Sequence, residues 1–171
     1  MYPGNFHKPD RTVRVMGKAT PALVHEREQI NSSKSKVDRY SKLTGGNATV
    51  FVRDGEDFMR IATSLKKADG KRALGTHLGK SHPGYATLLK GQVYEGYARL
   101  FGKDYMTVYR PIKSASGEVI GILYIGFDIS ASLEQLRKAT NSLRLEESGS
   151  FLIIRKSDNT IVAHPGDEVG A

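Results

Sequence analysis

The sequence predicts an α+β fold: an antiparallel five-stranded sheet with helices to one side and a long N-terminal helix ahead of it. Three features point there. Leu23, Ile30 and Val37 recur at a seven-residue spacing, with Met16 in the same register and Tyr40 beside it, the stripe of a helix lying along a neighbour. From Asn47 the texture changes to short β-rich runs separated by turn signals. Those runs come as two strands, a glycine-rich loop with a short helix, three strands and a closing helix.

Taken in order, Thr20 is placed to cap the first helix and Pro21 fits its first turn, where a missing N–H costs nothing. Gly45-Gly46 stops that helix. ATVFVR and FMRIATSL form a hairpin about Asp54-Gly55, and KKADGKRALGTHLGKSHPG is a loop broken at Asp69-Gly70, Gly75, Gly79 and Pro83-Gly84. YATLLKG is a short helix closed by Gly91. The strands QVYEGYARLFG, DYMTVYRPIK and VIGILYIGFDIS follow, the last two joined through Ser116-Gly117. Ser132 with Gln135 suits a capping box opening a last helix that turns Leu133, Leu136 and Leu143 inward. SFLIIR, Ser157-Asp158-Asn159 and TIVAHP then repeat the strand–turn–strand scheme of the first hairpin. The chain thus divides into an N-terminal helical segment (1–45), a sheet domain (46–145) and the truncated start of a second unit (146–171).

A chain of 171 residues is one domain, or one domain and part of another. No run of about 18 apolar residues and no signal-peptide pattern is present, so the piece reads as soluble or as excised from something larger. Without cysteine there are no thiol nucleophiles, thiolate metal sites or disulfides, which suits an oxidising compartment. A formal charge of +8 raises nucleic acid, anionic lipid or an anionic small ligand as partners. Basic residues are spread through the chain, and the densest group, Lys66, Lys67, Lys71 and Arg72, surrounds a turn. With no nucleic-acid-binding motif, a solvated basic surface is favoured over nucleic acid. The seven-residue stripe also allows a homodimer through paired helices.

Strand alternation sorts the candidate functional residues. Tyr105, Thr107 and Tyr109 share one face of DYMTVYRPI, a polar-aromatic face suited to stacking on a small ligand and hydrogen-bonding it, or else core tyrosines with hydroxyls at the rim. Arg60 is a charge in mid-strand, facing solvent, paired with Glu56 or Asp104, or holding an anion through its guanidinium fork. Thr63, Ser64 and Lys66 are weaker candidates beside it, and Arg99 and Lys103 flank the FG turn where they could complete a cationic lining. His77 and His82 lie five apart without a carboxylate in step, poor spacing for a metal. His82 instead suits a loop-fixing or ligand-facing donor. Asp128 either accepts an ammonium group or caps the following helix. There is no nucleophile elbow, phosphate loop or paired carboxylate set, so neither an enzyme nor a cofactor is expected.

The ordered set RIATSL, GT-x-L, HP-x-Y, FG-x-x-Y, Y-x-PI and GILYIGFD, spread over Leu43 to Leu145, closely resembles the Cache modules of methyl-accepting chemotaxis proteins, in the fused form where one unit runs into a second. The resemblance implies a PAS-like sheet beside a long N-terminal helix, on the periplasmic side of the inner membrane between two transmembrane helices. It also implies a small carboxylate or amino acid held between the sheet and the long loop, with a basic residue at the position of Arg60 holding the ligand carboxylate. The signal would pass along the terminal helices to a cytoplasmic output, a chemotaxis module or alternatively a histidine kinase or nucleotide cyclase. Membrane helices, output module and most of the second unit are absent from these 171 residues.

Overall fold

The computed structural model describes residues 4–142, 153–156 and 160–163. Two compact units divide the chain, Met1–Asp128 and Ile129–Ala171. In the first, the N-terminal region carries five short strands, β1 (Phe6–His7), β2 (Thr12–Val15), β3 (Lys18–Pro21), β4 (Val24–His25) and β5 (Glu28–Gln29), followed by helix α1 (Ser35–Thr44). The predicted long N-terminal helix is therefore corrected to a single helix of 10 residues preceded by hairpins. Local chemistry explains the change. Thr12, Val13, Val15 and Thr20 are β-branched, and Met16 (φ 50°) with Gly17 (φ 82°) forms the tight turn that pairs β2 with β3. Thr20 is not a cap: it lies in β3, fully buried, its hydroxyl directed at the Lys18 carbonyl and the Met59 sulfur. Leu23, Ile30 and Val37 are all buried, but in different segments of one core. The stripe is thus used up inside the fold and offers no seam for helix pairing.

The main sheet is built from β6 (Asn47–Asp54), β7 (Asp57–Thr63), β8 (Tyr94–Leu100), β9 (Lys103–Lys113) and β10 (Val119–Asp128), with helix α2 (Tyr85–Leu89) in the long connection. The five strands run in the order β7-β6-β10-β9-β8, every neighbour antiparallel. The β6–β7 hairpin turns at Gly55 (φ 60°), α1 ends on left-handed Gly45, whose N–H bonds the Ser41 carbonyl at 2.9 Å, and Gly117 closes the β9–β10 turn onto Ser114, as the turn signals predict.

Both faces of the sheet are buried over much of their area. One carries Val50, Val52, Met59, Ile61, Ala62, Ile112 and Ile120, packed with Val15, Leu23, Ile30 and Val37 of the N-terminal region. Against the other, Phe51, Phe58, Tyr109, Ile122 and Tyr124 pack with Tyr85, Leu88 and Leu89 of α2 and with Leu78 ahead of it. Arg72 ties that connection to α1, with Nη1 and Nη2 donating to Asp38 at 2.6 and 2.9 Å and Nη1 also to the Thr63 carbonyl at 2.7 Å.

In the second unit, helix α3 (Ser130–Ser142) begins two residues before Ser132, so Ser132 lies inside the helix and does not open it. The Leu133 N–H already bonds the Ile129 carbonyl at 2.9 Å. Leu133 is half-buried, Leu136 is exposed, and Thr140 is buried. Leu143 lies outside the described residues. Strands β11 (Ile153–Arg155) and β12 (Thr160–Ala163) pair antiparallel, as the repeated strand–turn–strand pattern predicts, while its turn, Ser157-Asp158-Asn159, lies outside the described residues.

Candidate functional site

The site grows out of strand register. Thr49 pairs with Thr63 and Phe51 with Arg60, so one extra residue, Ile61, is accommodated opposite the step from Val50 to Phe51. Thr49 and Phe51 are two apart and share a face; the bulge therefore brings Arg60 and Thr63, three apart, onto that same face. It is the face of the second core cluster. Across it the register aligns Tyr94, Tyr109, Tyr124, Thr49 and Thr63 in one row, and Gly96, Thr107 and Gly126 in the next.

The tyrosine hydroxyls lean toward the glycine row. A Cβ on Gly126 would collide with the Tyr124 hydroxyl, and one on Gly96 would stand 2.9 Å from the Tyr94 hydroxyl. Between the glycines, Thr107 donates to the Gly96 carbonyl at 2.7 Å, with the Tyr109 hydroxyl beside its side chain. The rings touch along the row, with centroids 6.0 Å apart for Tyr94 and Tyr109 and 4.9 Å for Tyr109 and Tyr124.

Arg60 is only 5% exposed. Its guanidinium lies 4.7 Å from the Phe51 ring centroid and 5.9 Å from that of Phe101, and Nη1 donates to the Thr76 hydroxyl. Glu56 and Asp104, the carboxylates the sequence offers it, are engaged by Lys80 and Tyr97 instead. Burial pushes its pKa down to about 10, with Tyr109 and Tyr124 opposing, so it remains a cation at neutral pH. Burial pushes Tyr109 up to about 12 and Tyr124 higher still, so both hydroxyls stay protonated. Among the described residues, two buried side-chain polar atoms lack a hydrogen-bond partner, Arg60 Nε and Tyr124 Oη. Removing an ion from water costs several kcal/mol unless its donors are satisfied, and a missing buried hydrogen bond costs about 1–3 kcal/mol. Both open positions fall in one cluster, where an acceptor of negative charge would fill them.

His82 closes the cluster from the long connection. Its ring centroid is 4.7 Å from that of Tyr109 and 5.4 Å from that of Tyr94. Its Nδ1 accepts the Gly84 N–H at 3.1 Å, which places the proton of the neutral ring on Nε2. Burial first, and the nearby Arg60 second, lower its pKa and keep it neutral. One side chain thus bonds the backbone of the connection at Gly84 and packs its ring against Tyr94 and Tyr109.

A family model described as the Cache 3/Cache 2 fusion domain matches residues 5–171. The chain belongs to this family. Cache domains are sensory domains, and the α+β fold with its antiparallel sheets is of their type. No curated protein matches the sequence. Among solved structures, the chain is similar to the periplasmic domain of RsbU from Chlamydia trachomatis, at 15% identity over 81% of this chain and 48% of that one, with a TM-score of 0.45. It is also similar to the sensory domain of the Campylobacter jejuni chemoreceptor Tlp3, at 15% identity over 75% and 49%, TM-score 0.38. A Tlp3 ligand-binding domain in complex with 4-methylisoleucine aligns at 13% over 75% and 47%, TM-score 0.37. The chain spans about half the length of these structures.

Within this Cache domain, the predicted residues separate into three groups. Arg60, His82, Thr107 and Tyr109 come together, with Thr63 in the tyrosine row but occupied by Thr49 Oγ1 at 2.6 Å. Tyr105 and Asp128 pair across β9 and β10 at one end of the same face, where Asp128 receives Lys103 at 2.8 Å. Burial and then Asp128 raise the Tyr105 pKa. Arg99 and Lys66 are not brought in: Arg99 alternates onto the opposite face of β8, and Lys66 is exposed in a bridge to Arg72. Tyr94, Tyr124, Phe51 and Thr76 were not among the predicted residues. A signal for the tyrosines exists, because Tyr94-x-Gly96 and Tyr124-x-Gly126 each set a glycine on the same face two residues on, where it clears space for a hydroxyl.

Proposed function

We propose that this domain binds a small carboxylate, with the carboxyl group at Arg60 Nε and the Tyr124 hydroxyl and the remainder of the ligand against Tyr94, Tyr109 and His82. The observation that carries the reading is the coincidence of the two unpartnered buried polar atoms with a buried cation in a ring of aromatic side chains. Arg60, Tyr94, Tyr109, Tyr124 and His82 supply donors and aromatic surface. Asp128, a carboxylate on that face, lies at its far end against Lys103. This favours a simple carboxylate over an α-amino acid, whose ammonium would need an acceptor.

The domain acts as a sensor and not as an enzyme, on the extracytoplasmic side of a membrane-anchored chemoreceptor, with a histidine kinase or nucleotide cyclase as the alternative output. Within the compact unit Ile129–Ala171, residues after about 146 are the start of a second Cache-like repeat. Ligand filling of the site would order the connection that carries Thr76 and His82, a population shift driven by differential affinity.

Thermal-shift and calorimetric titrations with acetate, propionate and longer monocarboxylates, their neutral amides and α-amino acids provide the test. At a ligand concentration about 100 times Kd the melting temperature should rise by about 5–10 °C. The amides should be inactive, and Arg60→Met should abolish the shift while still folding. No response to any carboxylate, or an undiminished response in Arg60→Met, rejects the reading.

A further inference from the structure

The two edges of the main sheet differ. The β7 edge is covered by the segment after Ala73: the Arg60 N–H bonds the Thr76 carbonyl at 2.8 Å, the Gly75 N–H the Arg60 carbonyl at 2.9 Å, and the Leu78 N–H the Phe58 carbonyl at 2.9 Å. Strand β8, the opposite edge, pairs with β9 in unbroken register from Tyr94 to Leu100, and among the described residues no other backbone hydrogen bond reaches it. It carries neither lysine nor proline, and no bulge turns it away. Such an edge is a ready template for another strand unless something occupies it.

The charges on β8 select the occupant. Glu95 and Arg99 stand symmetrically about Tyr97, on one face of the strand. Both are exposed, and neither has an ion-pair or hydrogen-bond partner among the described residues. We propose that β8 pairs antiparallel with β8 of a second copy of this chain, about a two-fold axis through Tyr97. That register sets Glu95 opposite the partner's Arg99 and Arg99 opposite the partner's Glu95, two cross-strand ion pairs from one symmetric contact. Residues directly opposite must share a face, so the register can shift only in steps that move the axis by one whole residue. Moving it to Gly96 sets Glu95 against the partner's Tyr97, and moving it to Ala98 sets Arg99 there; either way both ion pairs are lost.

Two further features fit the pairing. On the same face, Tyr97, Met106 and Phe127 form a cross-strand row in which Met106 is 50% and Phe127 43% exposed. Dimerisation continues that row across the axis into its copy. On the other face, Gly96 meets the partner's Ala98, small residues at the point of closest approach. With β7 covered, β8 is the one open edge of this sheet among the described residues, so association stops at a closed pair and does not propagate into fibres.

Sedimentation velocity on the 171-residue chain, from about 1 to about 500 µM, tests the proposal. The wild type should pass from monomer to dimer across that range. Glu95→Arg and Arg99→Glu each set like charges opposite one another twice, and each should weaken the dimer at least about tenfold, with an unchanged melting temperature at about 1 µM, where the wild type is monomeric. The double variant should restore it. An equimolar mixture of the two single variants should give a heterodimer, since one copy then presents two basic side chains and the other two acidic ones at the facing positions. A wild type that stays monomeric, a dimer that ignores both single reversals, or failure of both the double variant and the mixture to associate overturns the proposal.

Discussion

The chemistry of the site rests on a few buried polar side chains whose surroundings set their charge. Arg60 keeps its proton despite burial, while His82, half-buried beside that cation, is held neutral. The lowered pKa has a consequence for stability. As pH falls, the unfolded chain protonates this imidazole at its ordinary pKa of 6.5, before the folded protein does. The unfolded state then binds more protons, so stability rises with pH through this window and the contribution of His82 is lost as pH drops through the folded-state pKa. Melting temperatures between about pH 7.5 and pH 5 should therefore fall less steeply in His82→Gln than in the wild type; an equal or steeper slope in the variant contradicts the assigned burial. At this scale the sequence was partly legible. A charge in the middle of FMRIATSL marks Arg60, and alternation marks Thr107 and Tyr109. Tyr124 and Thr76 join them only through cross-strand register and loop path, which one-dimensional patterns do not carry.

Among the elements, the bulge at Ile61 and the Tyr-x-Gly pairs do most to shape the site. The bulge turns Arg60 toward the tyrosines, and strict alternation from Thr63 would have turned it away. Gly126 is required for space: a side chain there meets the Tyr124 hydroxyl. Gly126→Ala should cost about 1–3 kcal/mol by chemical denaturation. The cost should shrink when combined with Tyr124→Phe, which removes the nearer of the two colliding atoms and leaves Cζ at 2.7 Å; additive effects of the two substitutions would contradict the contact. The strands and turns from Asn47 to Asp128 were readable because each is bounded by glycine at a positive φ or by a polar turn. In the N-terminal region the hydrophobic spacing and the local β-propensity point to different structures. Leu23, Ile30 and Val37 do face one core, but a seven-residue spacing records only burial, and β-branched Thr12, Val13 and Val15 before Met16-Gly17 were the local signal that decided the structure.

For the whole molecule, fold and family follow from the ordered motifs, and the sheet with two buried faces explains why a strongly basic chain still closes a core. Among the described residues, the lysines and arginines lie at or near the surface apart from Arg60, which is drawn inward and left with an open donor. That single exception is the basis for reading the domain as a carboxylate sensor. The most direct test is a crystal structure of the domain grown with the tightest-binding monocarboxylate from the titrations. The carboxyl oxygens should lie within hydrogen-bond distance of Arg60 Nε and the Tyr124 hydroxyl, about 2.7–3.1 Å. Density for the ligand elsewhere, with Arg60 Nε still lacking an acceptor, would contradict the account.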